Sequence, residues 1–192
     1  MKKIVLRGNL CSVMKTFLVV GLGNPEGKYF ETWHNLGFKA AERFAGDLPF
    51  TKKGNQMLAT THENGDKIII LKPLTYMNLS GQAVIAVSRK YKIPPEQIIV
   101  FVDDIYLDIG TVRLKKSGSA GGHNGLKSVS ELLQSTTYVK IKIGAKPTTD
   151  IKGNTAAYVL SKIPDAVRPT LDIAIDQAVA IAHDVIAGVK WL

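Results

Sequence analysis

Cysteine is almost absent from this chain of 192 residues, which contains Cys11 and no other. A single cysteine cannot form an intrachain disulfide, and it leaves no cysteine pair for a structural zinc site. A lack of disulfides is typical of proteins from reducing compartments, so we expect a cytoplasmic location.

Long apolar runs are also missing. No stretch approaches the roughly 20 apolar residues that a membrane span needs, so we expect no membrane partner. The basic start, Met1-Lys2-Lys3, leads into an apolar stretch that Arg7 breaks, and we therefore expect no signal peptide. Residues 1–13 precede the first clear strand and are expected to be an N-terminal extension or a misassigned start, with residues 14–192 forming a single domain.

Several catalytic motifs are absent as well. The sequence has no His-Glu-x-x-His zinc motif, no Gly-x-Ser-x-Gly nucleophile elbow and no Gly-x-x-x-x-Gly-Lys-Ser/Thr phosphate loop. The turn Gly21-Leu22-Gly23-Asn24-Pro25 begins like a dinucleotide-binding fingerprint, but the third glycine falls one place late and Pro25 removes a backbone N–H. Covalent, metal and nucleotide-dependent chemistry are disfavoured, and we expect neither a metal nor a cofactor.

The pattern of apolar residues predicts strands and helices in alternation. Strands are predicted over 17–21, 56–61, 67–71, 98–102, 110–115 and 138–144, and helices over 32–44, 78–91, 124–134 and 166–187. Asn64-Gly65 is typical of the turn in a hairpin. Interleaved elements without a linker or a repeat predict an α/β fold, a single domain with a mixed, largely parallel twisted sheet flanked by helices.

Two histidines and a pair of acids are candidates for catalysis. His34 and His123 are each followed by asparagine and lie close to glycine-rich turns, whereas the other two histidines do not. Asp103 and Asp104 end an apolar strand, at the edge where open α/β sheets bind ligands. A carboxylate there can hold one ring nitrogen of His34 and leave the other to accept a proton from water. The alternative is a plain polar rim, which adjacent acids at a strand end often form.

Three amides extend this chemistry. Asn24, Asn78 and Asn124 can orient a water molecule and donate to a developing oxyanion. Catalytic groups of this modest strength suit the hydrolysis of an activated ester better than the hydrolysis of an amide.

The net charge of +9 is unevenly placed, with eight basic residues against two acidic ones between positions 113 and 152. One interpretation is a solvated basic face. The other is a stripe that binds phosphates, which would make affinity for nucleic acid depend on salt.

Four separated blocks of the sequence form a recognisable set. They are Gly21-Leu22-Gly23-Asn24-Pro25 with Tyr29, Thr32 and His34-Asn35; Lys72-Pro73 with Thr75-Tyr76-Met77-Asn78-Leu79-Ser80-Gly81; Asp103-Asp104; and Gly121-Gly122-His123-Asn124-Gly125-Leu126-Lys127-Ser128. In order and spacing they resemble the bacterial-type peptidyl-tRNA hydrolase family over nearly everything from Met14 onward. The resemblance implies a monomeric hydrolase without a cofactor, whose partner is peptidyl-tRNA and which cleaves the ester between a nascent peptide and the 3′ ribose of tRNA.

The resemblance also implies roles for individual residues. His34 corresponds to the general base of the family, and Asp103 to the carboxylate that orients it. The residues implied to bind the peptide and the 3′ end are Asn24, Tyr29, Tyr76, Met77, Asn78, His123 and Asn124. Those implied to contact tRNA phosphates are Arg113, Lys115 and Lys142. With these roles, the basic stretch favours binding to the RNA backbone.

Three departures and two alternatives accompany this interpretation. Glu26 stands where the family usually has glycine, and Trp33 where it usually has arginine. The stretch 142–147 is shorter than the usual glycine-rich form of the family, which weakens the alignment of Lys142. A non-enzymatic, splicing-factor-like RNA-binding protein on the same fold is the main alternative, but the retained His34, Asp103 and asparagines favour an enzyme. A nucleotide-dependent oxidoreductase is disfavoured by the glycine spacing.

Overall fold

The computed structural model describes residues 3–4, 14–151 and 153–191. The strands are β1 Lys3–Ile4, β2 Thr16–Gly21, β3 Thr51–Lys53, β4 Gln56–Glu63, β5 Asp66–Pro73, β6 Ile98–Asp104, β7 Val112–Lys115, β8 Val139–Gly144 and β9 Lys190–Trp191. The α-helices are α1 Leu36–Ala45, α2 Ser80–Tyr91, α3 Asn124–Leu133, α4 Thr155–Val159 and α5 Arg168–Ile186. None of the helices in these described residues combines the length and the apolar character needed to span a bilayer.

Seven strands form one sheet in the order β3-β4-β5-β2-β6-β8-β7. The four central strands, β5, β2, β6 and β8, run parallel to one another, whereas β4 and β7 pair antiparallel on either side of them. β3 pairs antiparallel with β4, and β1 forms a separate antiparallel pair with β9. The predicted single-domain α/β fold with a mixed, largely parallel sheet is confirmed.

Helices cover both faces of the sheet. Alternate residues of β2 belong to opposite apolar cores: Val19 packs with residues of α1 and α5, and Leu18 and Val20 pack with residues of α2 and α3. Because both faces are buried, the central strand β6 is a continuous apolar run rather than an alternating one.

The apolar pattern predicts most elements to within a few residues, but it does not predict β3 or α4. β3 is three exposed residues, and α4 is five residues of which Val159 is the buried one, so neither is long enough to show a period. The helix predicted from Thr32 instead begins as a 3-10 turn, Trp33–Asn35, and continues as α1.

The predicted division at residue 13 stays a prediction. Residues 1–2 and 5–13, and with them Cys11, lie outside the described residues. Residues 3–4 are described, and they pair with β9 near the other end of the chain.

Candidate active site

His34 and Asp103 meet at the carboxyl ends of the parallel strands. Asp103 is the penultimate residue of β6, and His34 lies in the 3-10 turn between β2 and α1. His34 Nδ1 lies 3.0 Å from Asp103 Oδ1 and 3.1 Å from Oδ2, so its N–H donates to the carboxylate. In a neutral imidazole Nε2 is then left as the acceptor. This is the geometry that a general base needs.

Gly21 and Gly37 make this approach possible. A Cβ on Gly37 would lie 2.5 Å from the carbonyl oxygen of Phe101, and a Cβ on Gly21 would lie 2.3 Å from the carbonyl oxygen of Gly37. Only glycine leaves room for such contacts between backbones. Because α1 packs directly on the ends of β2 and β6, His34 comes within reach of Asp103.

His123 is a second hydrogen-bond partner of Asp103. Its Nε2 lies 3.0 Å from Asp103 Oδ1, and its Nδ1 accepts the backbone N–H groups of Gly125, at 3.1 Å, and Leu126, at 3.3 Å. Nδ1 can accept these bonds only when the proton of the ring is on Nε2. Capping of α3 therefore fixes the tautomer of His123 that donates to Asp103.

The buried carboxylate of Asp103 stays charged. Burial alone would raise its pKa, but the electrostatic attraction of His123 and His34, together with the hydrogen bonds from these rings, outweighs burial and holds the pKa of Asp103 well below its ordinary value. Burial, and then the nearby charge of Asp103, raise the pKa of Tyr158 to about 12. A charged Asp103 can stabilise an imidazolium on His34 after that ring accepts a proton.

The same three side chains are also of the kinds that bind metals. His34, Asp103 and His123 each offer one ligand atom, and these atoms lie within 4.8 Å of one another. A cation on Nε2 of His123 would move the ring proton to Nδ1, where it would face the N–H groups of Gly125 and Leu126. Metal binding would thus remove the hydrogen bonds that cap α3. The three side chains therefore fit proton transfer better than they fit a metal ion.

Asn24 and Asn35 tie the glycine-rich turn to its neighbours. Asn24 N–H donates to Asn35 Oδ1 at 2.8 Å, and Asn35 Nδ2 donates to the Asn24 carbonyl at 3.0 Å. Asn24 Oδ1 in turn accepts the N–H of Met77 at 2.9 Å. Among the described residues Asn24 Nδ2 has no hydrogen-bond partner, so it is the polar atom of that side chain left for a ligand.

A pocket of about 300 Å³ opens beside His34 and Asp103. It is lined by His34, Asp103, Asp104, Ile105, Tyr106, Ala120, Gly121, Gly122, His123, Asn124, Leu126, Lys142, Thr155, Ala156 and Val159. The pocket therefore brings together five of the residues to which the sequence assigns a role: His34, Asp103, His123, Asn124 and Lys142.

The other residues predicted to bind substrate lie outside the lining of this pocket. They are Asn24, Tyr29, Tyr76, Met77 and Asn78. Met77 is buried directly behind it, since a Cβ on Gly125 would lie 2.5 Å from Met77 Sδ. All five belong to the segments that follow β2 and β5, away from β8 and β7 in the order of the sheet.

The three residues predicted to bind phosphates lie on the last two strands of the sheet. Arg113 and Lys115 are exposed on β7, and Arg113 pairs in register with Lys142 on β8. Lys142 is half-buried, and its Nζ lies 2.8 Å from Asp104 Oδ2. Neither Arg113 nor Lys115 forms an ion pair within the described part of the chain, so this edge presents two unpaired cations and one paired lysine.

Glu26 and Trp33, where the sequence departs from the family pattern, both make contacts of their own. The carboxylate of Glu26 pairs with Lys28 at 2.7 Å and accepts the hydroxyl of Tyr76, and these bonds lower the pKa of Glu26. Trp33 is 3% exposed and stacks on Tyr158 with 5.5 Å between ring centroids. Trp33 thus holds α4 against the 3-10 turn without the charge of an arginine.

Sequence reasoning missed three features of the site. These are the pairing of Asp104 with Lys142, the position of Tyr106 at the rim, and the contribution of α4 to the pocket. Each depends on segments distant in sequence. The capping role of His123 had a local indication, because the residue just before a helix is where capping side chains occur.

The fold and the site together define a class of protein: an α/β enzyme with a general-base site for hydrolysis. A buried aspartate orients a histidine whose second nitrogen is free to accept a proton, and the amide of Asn124 lines the same pocket.

Comparison with known proteins narrows the class to one family. Residues 18–191 match the profile of the family described as Peptidyl-tRNA hydrolase. The peptidyl-tRNA hydrolase of Clostridium acetobutylicum is 43% identical over 159 residues, which are 81% of this chain and 83% of that protein. That of Chlorobium phaeobacteroides is 39% identical over 177 residues, 90% of this chain and 93% of that protein. The crystal structure of peptidyl-tRNA hydrolase from Acinetobacter baumannii superimposes with a TM-score of 0.82 at 34% identity, covering 92% of both chains. The chain belongs to the peptidyl-tRNA hydrolase family.

Proposed function

We propose that the protein hydrolyses the ester bond between a nascent peptide and the 3′ ribose of tRNA, and so recycles tRNA from chains dropped by ribosomes. The geometry of His34 carries the proposal. Its Nδ1 donates to the buried Asp103, while its Nε2 has no hydrogen-bond partner among the described residues and the ring lines the pocket. Membership of the family supports the same substrate.

The reaction begins with His34 as general base. Nε2 takes a proton from water as the water oxygen attacks the carbonyl carbon of the ester. The charged Asp103 stabilises the imidazolium that forms. The bond from carbon to the ribose oxygen then breaks, and His34 returns the proton to that oxygen. One water molecule is consumed, and the products are a ribose hydroxyl and a peptide carboxylic acid that ionises in solvent.

Amide donors suit the oxyanion that develops on the carbonyl oxygen. We assign this role to Asn24 through its free Nδ2 and to Asn124 at the pocket wall, and a donor of this kind is typically worth about 3–4 kcal/mol. The remaining residues proposed to bind the peptide and the 3′ end are Tyr29, Tyr76, Met77, Asn78 and His123.

The cations of β7 and β8 suit the nucleic acid half of the substrate. Arg113, Lys115 and Lys142 would bind tRNA phosphates, which are the same in every tRNA. We also propose that the protein acts as a monomer in the cytoplasm; the single cysteine of the sequence supports a reducing compartment.

Peptide release in ¹⁸O-labelled water tests the proposal. With N-acetyl-aminoacyl-tRNA as substrate, the protein should accelerate release well above the rate without protein and place one ¹⁸O atom in the new carboxylate. Binding of tRNA without release would contradict the proposal and would favour the RNA-binding alternative.

A further inference from the structure

The order of the sheet divides the surroundings of the catalytic pair into two sides. His34 follows β2 and Asp103 ends β6, and these strands are neighbours in the middle of the sheet. The segment after β5 lies on one side, whereas β8 and β7, with Arg113 and Lys115, lie on the other. If Arg113 and Lys115 bind tRNA phosphates as proposed above, the RNA half of the substrate extends from His34 toward β8 and β7.

Tyr106 stands on this second side, and the fold makes no use of its ring. It is 75% exposed although it lines the pocket. Within the described residues the ring contacts no other aromatic ring and no cation, and the hydroxyl has no hydrogen-bond partner. A large aromatic side chain left open at the rim of a pocket is available to a ligand.

The loop that carries Tyr106 is anchored on both sides. The N–H of Tyr106 donates to Asp104 Oδ1 at 2.9 Å, and the next residue, Leu107, is 3% exposed. The carbonyls of Asp104 and Leu107 accept the N–H groups of Ala145 and Lys146, each at 2.9 Å. Since the loop is already ordered, binding to the ring costs little additional conformational entropy.

Asp104 holds a cation, Lys142, that lines the same pocket as Tyr106. Its Oδ2 accepts from Lys142 Nζ at 2.8 Å, while its Oδ1 holds the N–H of Tyr106. A Cβ on Gly121 would lie 3.7 Å from Lys142 Nζ, so the glycine-rich turn lies beside the ammonium group. One carboxylate thus binds both the backbone of Tyr106 and the ammonium group of Lys142, and both residues line the pocket.

We propose that Tyr106 is the platform on which a base of the unpaired 3′ end of tRNA stacks, with Lys142 at the adjoining phosphate. The proposal rests on the proposed function, since it concerns the same substrate. Bases of single-stranded RNA stack on aromatic side chains with little dependence on sequence, and their phosphates pair with lysine. A ring and an ammonium group that line one pocket suit a nucleotide.

A double-mutant cycle between the ring and the RNA end tests this proposal. Fluorescence anisotropy measures the affinity of the wild type, Tyr106→Phe and Tyr106→Ala for two RNAs. One is deacylated tRNA, and the other is the same tRNA without its unpaired 3′ nucleotides. Trimming should weaken binding to the wild type and to Tyr106→Phe about tenfold more than binding to Tyr106→Ala. Ile173→Ala, which removes an exposed apolar side chain on α5, should behave as the wild type does.

The kinetics of peptide release give a second readout. Tyr106→Ala should raise KM about tenfold and leave kcat within about twofold, because the ring binds RNA and takes no part in the chemistry. The proposal would be overturned if trimming the tRNA reduced the affinity of the wild type and of Tyr106→Ala by the same factor. It would also be overturned if Tyr106→Phe bound intact tRNA more weakly than the wild type does. Deacylated tRNA has no ester, so failure to release peptide would count against the hydrolase function alone.

Discussion

At the scale of single residues, the protons around Asp103 are fixed by hydrogen bonds that reach beyond the catalytic pair. Oδ1 of Asp103 lies 3.0 Å from both His34 Nδ1 and His123 Nε2. The backbone N–H groups at the start of α3 keep the proton of His123 on the side of Asp103. The carboxylate therefore receives an N–H from each of two rings.

Asp103→Asn should disturb this arrangement more than its shape suggests. With the amide oxygen in the place of Oδ1, the amide NH₂ would take the place of Oδ2, which lies 3.1 Å from His34 Nδ1, and would face the N–H of that ring. With the amide reversed, the NH₂ would face the N–H groups of both rings. We expect kcat to fall about 100-fold, less than on removal of His34, with KM little changed. Single-turnover peptide release measures the change in rate, and urea unfolding is the control for stability. A kcat equal to that of the wild type would argue against the pairing of His34 with Asp103.

Lys140 is a buried base that the proposed mechanism does not use. It is 1% exposed, and its Nζ donates to the carbonyls of Thr136, at 3.0 Å, and Tyr138, at 3.3 Å. Burial, and then the charge of Lys142, lower the pKa of Lys140 from 10.5 to about 8. Between these two values the unfolded chain binds a proton that the native protein does not, so the free energy of unfolding rises with pH.

Lys140→Met should remove this pH dependence. Between about pH 7 and about pH 9.5 the wild type should gain roughly 2 kcal/mol in free energy of unfolding relative to the variant. Urea unfolding of both proteins at the two pH values measures the difference. A difference that stays constant with pH would show that the native pKa of Lys140 is not lowered.

At the scale of elements, the start of α3 combines a structural and a chemical task in His123. His123→Ala should cost about 1 kcal/mol of stability through the lost cap, and should also lower kcat. His123→Asn should restore the stability, because asparagine caps well, but not kcat, because its shorter side chain lacks the N–H that reaches Asp103. Urea unfolding and peptide release separate the two effects; recovery of both would leave His123 with a capping role only.

How far the elements could be predicted depended on their length and burial. β6 was predictable because five consecutive apolar residues, 98–102, have both faces covered. β3 and α4 were not, because each is shorter than the window over which a period can be seen. The shift of the first helix to a 3-10 turn at Trp33–Asn35 depends on packing against the strand ends, which no local pattern contains.

At the scale of the whole molecule, the two edge strands of the sheet offer a matched comparison of charge. Lys115 is exposed on β7 at one edge of the sheet, and Lys53 is exposed on β3 at the opposite edge. KM for a tRNA-linked substrate should rise with salt, and Lys115→Ala should reduce the slope of log KM against log salt by about 0.7–1. Lys53→Ala should leave the slope unchanged. Equal slopes for both variants would contradict a role for the β7 edge.

The site was predictable where residue types alone carry the chemistry. His34 and Asp103 follow from a histidine after a glycine-rich turn and an acid at a strand end. The pairing of Asp104 with Lys142 could not be predicted, because the two residues are 38 positions apart and meet only when β8 pairs with β6. The sequence around Tyr106 gave no indication that this residue lies at the rim of the pocket, since exposure at a pocket rim is set by tertiary structure.

The general base is tested most directly by the rate of peptide release from N-acetyl-aminoacyl-tRNA by His34→Ala, with tRNA binding measured alongside. Loss of a general base should lower kcat about 1,000-fold or more while tRNA affinity and the free energy of unfolding stay near those of the wild type. Turnover like that of the wild type would contradict the assignment of His34, and with it the mechanism proposed for this protein.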